Sequence, residues 1–263
     1  MKVGLAQLNV GESKDDNLKK VLAAIEGAQD ATNLMVFPEY VMGFPNGGLS
    51  KSWLQRNAEG LDGRFVEQAA RKSSETGVGV VLPIFERRGD EVYNTAVVID
   101  KGRIRGSYRK IHLFDAFGFR ESEMFRAGAQ PILFDMGGLV FGLTICYDVR
   151  FPELVKGLAL AGAQAIIVPA AWYRGPLKEE QWQTILSTRA HENTSYVVGV
   201  GNANDAFIGR SMVADPFGVK ALDLGVAERV GYAELDLSLV EEARRRIPVL
   251  SQSNVGAYKC EKI

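Results

Sequence analysis

The chain is poor in cysteine and histidine. Its 263 residues include only 2 cysteines, Cys146 and Cys260, and only 2 histidines, His112 and His191. These four residues are scattered and match no zinc-ligand spacing, so no metal site is expected. Two cysteines so far apart also do not form the disulfide framework of a small secreted scaffold.

The chain also lacks an excess of one charge and any long apolar run. Lys and Arg total 31 and Asp and Glu total 32, which gives a net charge of −1. Nucleic-acid-binding proteins usually show a basic excess, so no such partner is expected. No apolar run approaches the ~20 residues of a membrane span. The N-terminal "MKVGLAQLNVG" lacks the apolar core of a signal peptide and is typical of a strand. These absences predict a cytoplasmic protein without a membrane partner.

Short apolar strands alternate with amphipathic helices along the whole chain. The composition is 46% hydrophobic, enough for one large core, and no linker or repeat divides the sequence. About a dozen strands and four main helices are too many for one sheet covered on both faces. The hairpin signals "RRGD" and "DKGR" indicate sheets that are not purely parallel. We therefore predict one α/β domain over residues 1–263, with a short C-terminal tail from about residue 248. Two mixed sheets pack face to face in it, with helices outside.

Three predicted strands end at a residue able to do chemistry. Glu39 follows "NLMVF", Lys110 follows "IRGSYR", and Cys146 follows "LVFGLTI". Strand ends are where α/β proteins place their sites. A carboxylate could accept the thiol proton, and an ammonium could stabilise negative charge on a substrate. Each residue also has an ordinary explanation, as buried cysteine, loop glutamate or surface lysine, and spacing alone does not show that they converge.

Two other roles for Cys146 stay open on the residues alone. His112 lies two residues after Lys110, so in an extended chain both side chains face the same way. A Cys146–His112 dyad would suit a thiol protease or an acyltransferase. A redox protein would need a resolving cysteine, and Cys260 in the tail "YKCEKI" is the other cysteine of the chain.

Three segments together resemble the signatures of the nitrilase superfamily, the carbon–nitrogen hydrolases. They are "VFPEY" (36–40), "YRKIHLF" (108–114) and "ICYDVRFPEL" (145–154), and their order and separations also fit. "FPE" alone is not specific, because it occurs twice here, whereas the cysteine segment in register with the other two is. The likeness runs from "KVGLAQLNV" to "IPVL" and so covers nearly the whole chain. It implies an α–β–β–α sandwich, in agreement with the two-sheet prediction.

The resemblance also implies a catalytic triad of Glu39, Lys110 and Cys146. In this triad Glu39 is the general base, Lys110 stabilises the tetrahedral intermediate and Cys146 is the nucleophile. The backbone N–H of Tyr147 joins Lys110 in the oxyanion hole. Such chemistry proceeds through a thioester and needs neither a metal nor an organic cofactor.

Two further features are implied by the resemblance. Many members carry a second glutamate near the thiol, which here is Glu121 in "FRESEMFRAG", with Glu123 as the alternative. The segment "DVRFPE" resembles the family's structural turn. We expect Asp148, Arg150 and Glu153 to brace this turn through ion pairs without touching substrate.

The small-amidase branch, which acts on ω-amides, is the most similar part of the family. "YRKIHLFD", "FRES" and "AWYRGPLKEEQWQ" carry this similarity, so we expect a small amide that bears a carboxylate. Arg174 is the candidate for binding the carboxylate, and Tyr40 and Trp172 are expected to line the pocket. A nitrilase or an N-carbamoyl amino acid amidohydrolase with the same triad remains an alternative.

Members of this family generally dimerise through their outer layers. The helices near residues 153–161 and 182–192 are the expected contact, which predicts a homodimer or a larger homo-oligomer. A binding protein that kept the fold and lost the reaction is a further alternative, and the intact triad argues against it.

Overall fold

Two six-stranded sheets form the centre of the computed structural model, which describes residues 1–257. The strands are, in chain order, β1 (Lys2–Gln7), β2 (Leu34–Val36), β3 (Gly79–Arg88), β4 (Glu91–Asp100), β5 (Arg103–Arg109), β6 (Asp115–Ala116), β7 (Phe119–Arg120), β8 (Leu133–Met136), β9 (Leu139–Leu143), β10 (Ala165–Ala170), β11 (Tyr196–Gly201), β12 (Met212–Ala214), β13 (Lys220–Asp223) and β14 (Arg229–Glu234). The first sheet has the order β14-β1-β2-β3-β4-β5 and the second has the order β13-β12-β11-β10-β9-β8. Strands β6 and β7 form a separate short hairpin.

Each sheet contains three parallel strands flanked by antiparallel ones. The parallel strands are β1, β2 and β3 in the first sheet and β9, β10 and β11 in the second. The turns predicted from "RRGD" and "DKGR" join β3, β4 and β5 into an antiparallel meander. The amide after β10 bonds the carboxylate after β2, so the carboxyl ends of the two central strands meet at one edge of the sandwich.

Helices cover the outer faces of the two sheets. They are α1 (Lys14–Gly27), α2 (Lys51–Asn57), α3 (Arg64–Thr76), α4 (Pro152–Leu160), α5 (Lys178–Asn193) and α6 (Leu237–Arg246). Side-chain alternation along β2 shows the layering. Leu34 and Val36 pack in the core shared with the second sheet, whereas Met35 packs among the residues of α1–α3. The predicted four-layer α-β-β-α sandwich is therefore confirmed.

Local sequence signals set the ends of several helices. The Ser13 side chain accepts a hydrogen bond from the Asp16 amide and caps α1. Gly77, in the left-handed conformation, ends α3, and Pro152 occupies the first turn of α4. Among residues 1–257, no helix is long and apolar enough to cross a membrane.

Candidate active site

Glu39 lies buried just beyond the end of β2, the central strand of the first sheet. Its Oε1 accepts hydrogen bonds from Lys110 Nζ at 2.8 Å and from Asn94 Nδ2 at 2.8 Å. Its Oε2 accepts a hydrogen bond at 2.8 Å from the amide of Ala171, the residue directly after β10 of the second sheet. The carboxylate is thus fixed by donors from both sheets.

Lys110 follows β5 and is as deeply buried as Glu39. Its ammonium lies 2.8 Å from Glu39 Oε1 and 2.8 Å from Glu121 Oε2. A buried charge is tolerated only when it is paired and hydrogen-bonded, and here one ammonium serves two carboxylates.

The second glutamate of the site is Glu121, which begins a 3-10 turn after β7. It is fully buried, and it accepts hydrogen bonds from the Phe114 amide at 2.7 Å and from the Tyr40 hydroxyl at 3.2 Å. Glu123 is exposed on the other side of the turn and pairs with Arg120. The geometry therefore brings Glu121, and not Glu123, to Lys110.

Cys146 stands at a sharp bend between β9 and a 3-10 turn that runs over Cys146–Arg150. Its φ of 48° lies in the left-handed region, which a residue with a side chain adopts only when its surroundings enforce it. Asp148 supplies that constraint. Its Oδ2 accepts from the Ile145 amide at 3.0 Å and from the Tyr108 hydroxyl at 2.7 Å.

The histidine considered as a partner for Cys146 is engaged elsewhere. Both the amide and the Nδ1 of His112 lie against Asp148 Oδ1, at 2.8 Å and 2.9 Å. The imidazole stacks on Phe151 with ring centroids 3.6 Å apart. His112 therefore supports the turn, and the structure does not form a Cys146–His112 dyad. Cys260 lies outside the described residues.

The turn is not stabilised by the expected ion pairs among Asp148, Arg150 and Glu153. Asp148 is satisfied by the neutral and histidine donors just described. Arg150 points toward the pocket instead, with its guanidinium 4.5 Å from the centre of the Trp172 ring. Glu153 sits in the first turn of α4, where a carboxylate interacts well with the helix dipole.

Burial and the neighbouring charges set the protonation states of the site. Burial, followed by the nearby Glu39 carboxylate, raises the pKa of the Cys146 thiol well above its usual value, and the Lys110 ammonium opposes this rise. Burial, with Glu121 nearby, also raises the pKa of Glu39, although Lys110 opposes it. Burial by itself would lower the pKa of Lys110, but Glu121 and Glu39 outweigh it and hold that pKa well above normal. These shifts favour the neutral form of the Cys146 thiol and the charged form of Lys110.

A cavity opens above these groups. Glu39, Lys110 and Cys146 form its floor, while Tyr40 and Trp172 are among the aromatic side chains of its walls. Within residues 1–257 no group of three or more His, Cys, Asp or Glu side chains is arranged to hold a metal ion.

Tyr147 lies directly after Cys146 and lines the same cavity. Its N–H belongs to the first turn of the short helix Cys146–Arg150, where backbone donors have no acceptor within the helix. This amide is therefore suited to bind an oxyanion beside the sulfur, together with Lys110.

Two cations at the mouth of the cavity lie outside the ionic cluster of the floor. Arg150 stacks on Trp172, and Lys178 Nζ lies 4.0 Å from the centre of the Phe117 ring. Within residues 1–257, neither side chain forms an ion pair with a carboxylate, and Arg150 donates a hydrogen bond to the side-chain oxygen of Gln181 at 3.4 Å. Burial, followed by the charge of Arg150, lowers the pKa of Lys178, as expected for two cations near each other.

Arg174, expected to bind a substrate carboxylate, does not line the cavity. Its side chain is exposed, and its Nε donates a hydrogen bond to the Phe207 carbonyl at 2.6 Å. The loop that carries Arg174 leads into α5, and Lys178, the first residue of that helix, reaches the cavity instead.

Four other groups of the site did not emerge from the sequence. Arg150 is predicted only to brace the turn, and the sequence predicts no role in the site for Lys178 or Tyr173. Asn94 lies inside the apolar strand β4, where a buried polar side chain needs a hydrogen-bond partner. A lone polar residue in an apolar strand is therefore the sequence signal that indicates Asn94.

Comparison with known proteins identifies the family. The family model for carbon-nitrogen hydrolases matches residues 2–245. A deaminated glutathione amidase of Escherichia coli O157:H7 is 35% identical over 86% of this chain and 86% of its own length. An omega-amidase of Saccharomyces cerevisiae is 32% identical over 98% of this chain and 95% of its own length.

Solved structures show the same similarity. The crystal structure of a nitrilase-superfamily member from Saccharomyces cerevisiae has a TM-score of 0.82 and 28% identity, and the match covers 95% of this chain and 94% of that one. A protein from Xanthomonas campestris, at 22% identity, shares the fold with a TM-score of 0.87 over 99% of both chains. Together with the geometry of the floor, these matches show that the chain belongs to the carbon–nitrogen hydrolase family of the nitrilase superfamily.

Proposed function

We propose that this enzyme hydrolyses the C–N bond of a small amide through a thioester on Cys146. One observation supports this most strongly. The ammonium of Lys110 and the carboxylate of Glu39 lie 2.8 Å apart, buried in the floor of a cavity that also includes Cys146. A base, a nucleophile and a cation within one small cavity are what acyl transfer requires.

In the first half of the reaction, Glu39 takes the proton of the Cys146 thiol as the sulfur attacks the amide carbon. The former carbonyl oxygen becomes an oxyanion, held by the Lys110 ammonium and the Tyr147 N–H. The C–N bond then breaks, Glu39 returns the proton to the departing nitrogen, and ammonia leaves. A thioester remains on Cys146.

In the second half, Glu39 takes a proton from water as the water oxygen attacks the thioester carbon. The same oxyanion donors act again, the C–S bond breaks, and the sulfur recovers a proton from Glu39. The acid is released and the resting thiol is restored. Glu121 keeps Lys110 in place throughout, because its carboxylate is a second acceptor for the ammonium, at 2.8 Å.

We propose that the substrate is an ω-amide that carries a carboxylate at its other end. Arg150 and Lys178 at the cavity mouth are suited to bind that carboxylate, because both are cations without a carboxylate partner in the described chain. Arg150 takes the role expected of Arg174, while Tyr40 and Trp172 line the space between the floor and the mouth. Relatives that are named omega-amidase and deaminated glutathione amidase support the same substrate class.

A matched pair of substrates tests this proposal. Succinamate and butanamide have the same carbon chain, and only succinamate carries a carboxylate. We expect ammonia release from succinamate with kcat/KM roughly 10-fold or more above that for butanamide, since a charge-assisted hydrogen bond contributes about 1.5–3 kcal/mol.

Cys146→Ala is the control and should abolish release from both amides. An N-carbamoyl amino acid and an aliphatic nitrile complete the panel. Faster turnover of either one than of succinamate would contradict the assignment as an ω-amidase. Full activity in Cys146→Ala would contradict the thioester itself.

We also propose that the chain acts in the cytoplasm, as one catalytic domain and as a homodimer. The dimer contact would lie on the outer faces of α4 and α5, where Leu160 exposes 45% of its surface.

A further inference from the structure

The floor of the active site contains more buried acid than buried base. Glu39 and Glu121 are both buried, and Lys110 is the one cation that contacts them within the described chain. The surplus negative charge has to be stabilised by neutral hydrogen-bond donors, because both carboxylates are buried away from bulk solvent.

Asn94 is the neutral side chain that contacts both carboxylates in the described structure. Its Nδ2 lies 2.8 Å from Glu39 Oε1 and 3.1 Å from Glu121 Oε1. Its backbone carbonyl accepts a hydrogen bond from the Lys110 amide at 2.8 Å. One residue of β4 thus holds both acids and the backbone of the lysine that they share.

The two oxygens of Glu39 are not equivalent in this arrangement. Oε1 accepts from Lys110 and from Asn94, and these two donors use both of its lone-pair positions. Oε2 accepts only from the Ala171 amide in the described structure, so it keeps one free acceptor position. Glu39 and Cys146 line the same cavity, so the free position on Oε2 is the one left for the proton of the thiol.

We propose that Asn94 is a positioning residue that selects Oε2 of Glu39 as the atom that takes the thiol proton. Together with Lys110 it occupies Oε1, and by bonding Glu121 as well it keeps the two acids from separating. This inference rests on the proposed function of Glu39 as the general base. Asn94 is not among the residues that line the cavity, so it acts through Glu39.

Loss of Asn94 changes the titration of Glu39 in a known direction. The ionisable groups that face Glu39 are Lys110, Glu121, Cys146, Tyr40 and Tyr173. A hydrogen bond to the ionised carboxylate lowers its pKa, so removal of the Asn94 donor raises the pKa of Glu39. Because Glu39 accepts a proton only when ionised, the acidic limb of kcat/KM moves to higher pH.

The test compares Asn94→Leu with Thr95→Val, its neighbour on β4. Thr95 is also buried, and its hydroxyl donates to a carboxylate outside the site, Glu86 Oε2, at 2.8 Å. Both variants lose a buried hydrogen bond in the same strand. We expect kcat for succinamate to fall in Asn94→Leu by roughly 10- to 100-fold, a part of the 10²–10⁴ that a positioned base supplies.

Three readouts separate positioning from general stability. In Asn94→Leu, KM should change by less than about 3-fold, and the acidic limb of the kcat/KM profile should move to higher pH. Iodoacetamide should label Cys146 more slowly, because a thiol with a misplaced base ionises less readily. Thr95→Val should keep the wild-type pH profile. If Asn94→Leu does not fold, the isosteric Asn94→Asp is measured, and its added buried acid should move the limb in the same direction.

A wild-type pH profile in the folded Asn94 variant would overturn the inference, and so would a loss confined to KM. These results differ from failure of the proposed function. If Cys146→Ala kept its activity, the thioester scheme would fail whatever Asn94 does. If Cys146→Ala were inactive and the Asn94 variant titrated like wild type, only the positioning role would fail.

Discussion

The floor and the mouth of the cavity hold their charges in opposite ways. On the floor, Lys110 is buried and pairs at 2.8 Å with two carboxylates that are themselves buried. At the mouth, Arg150 and Lys178 rest on aromatic rings and have no carboxylate partner in the described chain. A charge fully satisfied within the protein is suited to act on the reacting atoms, whereas an unsatisfied one is available to a ligand.

From this difference between floor and mouth, we expect substitution of Lys110 to have the largest effect on activity and stability. In Lys110→Met the oxyanion loses its ammonium, so kcat should fall by about 10³-fold or more. Two buried carboxylates also lose their counter-charge, which should lower the free energy of unfolding by about 3–5 kcal/mol. Ammonia release and urea denaturation measure the two effects. A folded Lys110→Met enzyme with kcat within about 10-fold of wild type would show that the Lys110 ammonium does not stabilise the oxyanion.

A smaller and different effect is expected at Arg150. Arg150→Gln should raise KM for succinamate roughly 10-fold and change kcat little, because it removes binding energy and not transition-state stabilisation. KM for butanamide should stay near wild type. Arg245→Gln, an exposed arginine on α6, is the matched control. If Arg174→Gln raised KM and Arg150→Gln did not, the carboxylate would bind outside the cavity mouth that we describe.

The parts of the site at strand ends were the most predictable from sequence. Glu39, Lys110 and Cys146 follow buried strands, and strands of packed sheets end at shared edges, so the three side chains had a physical reason to meet. Their order and spacing in the family signatures added specificity. The two copies of "FPE" differ in the same way, because Glu39 follows a strand and Glu153 opens a helix.

The remaining contacts depend on direction and register, which a single sequence does not reveal. Asn94 reaches the site only because β4 pairs with β3 and β5 in a register that turns its side chain toward Glu39. Arg150 ends the 3-10 turn that begins at Cys146, and Arg174 lies in the loop before α5. The direction of each side chain is set by contacts distant in sequence, Trp172 for Arg150 and Phe207 for Arg174.

The two-sheet architecture was predictable because it follows from counting elements. A dozen paired strands need two sheets, and apolar alternation assigns their inner faces. Strand order was not predictable, because β14 joins the first sheet beside β1 from the far end of the chain.

Capture of the acyl group on Cys146 tests the central claim most directly. The wild-type enzyme is mixed with succinamate, quenched in acid within milliseconds and digested with a protease. The mass of the peptide that contains Cys146 is then measured by mass spectrometry. A parallel reaction contains hydroxylamine, which attacks thioesters. We predict a succinyl adduct on Cys146 and a product divided between succinate and its hydroxamate. Ammonia release without an adduct on this cysteine, with succinate as the sole product at saturating hydroxylamine, would contradict the account.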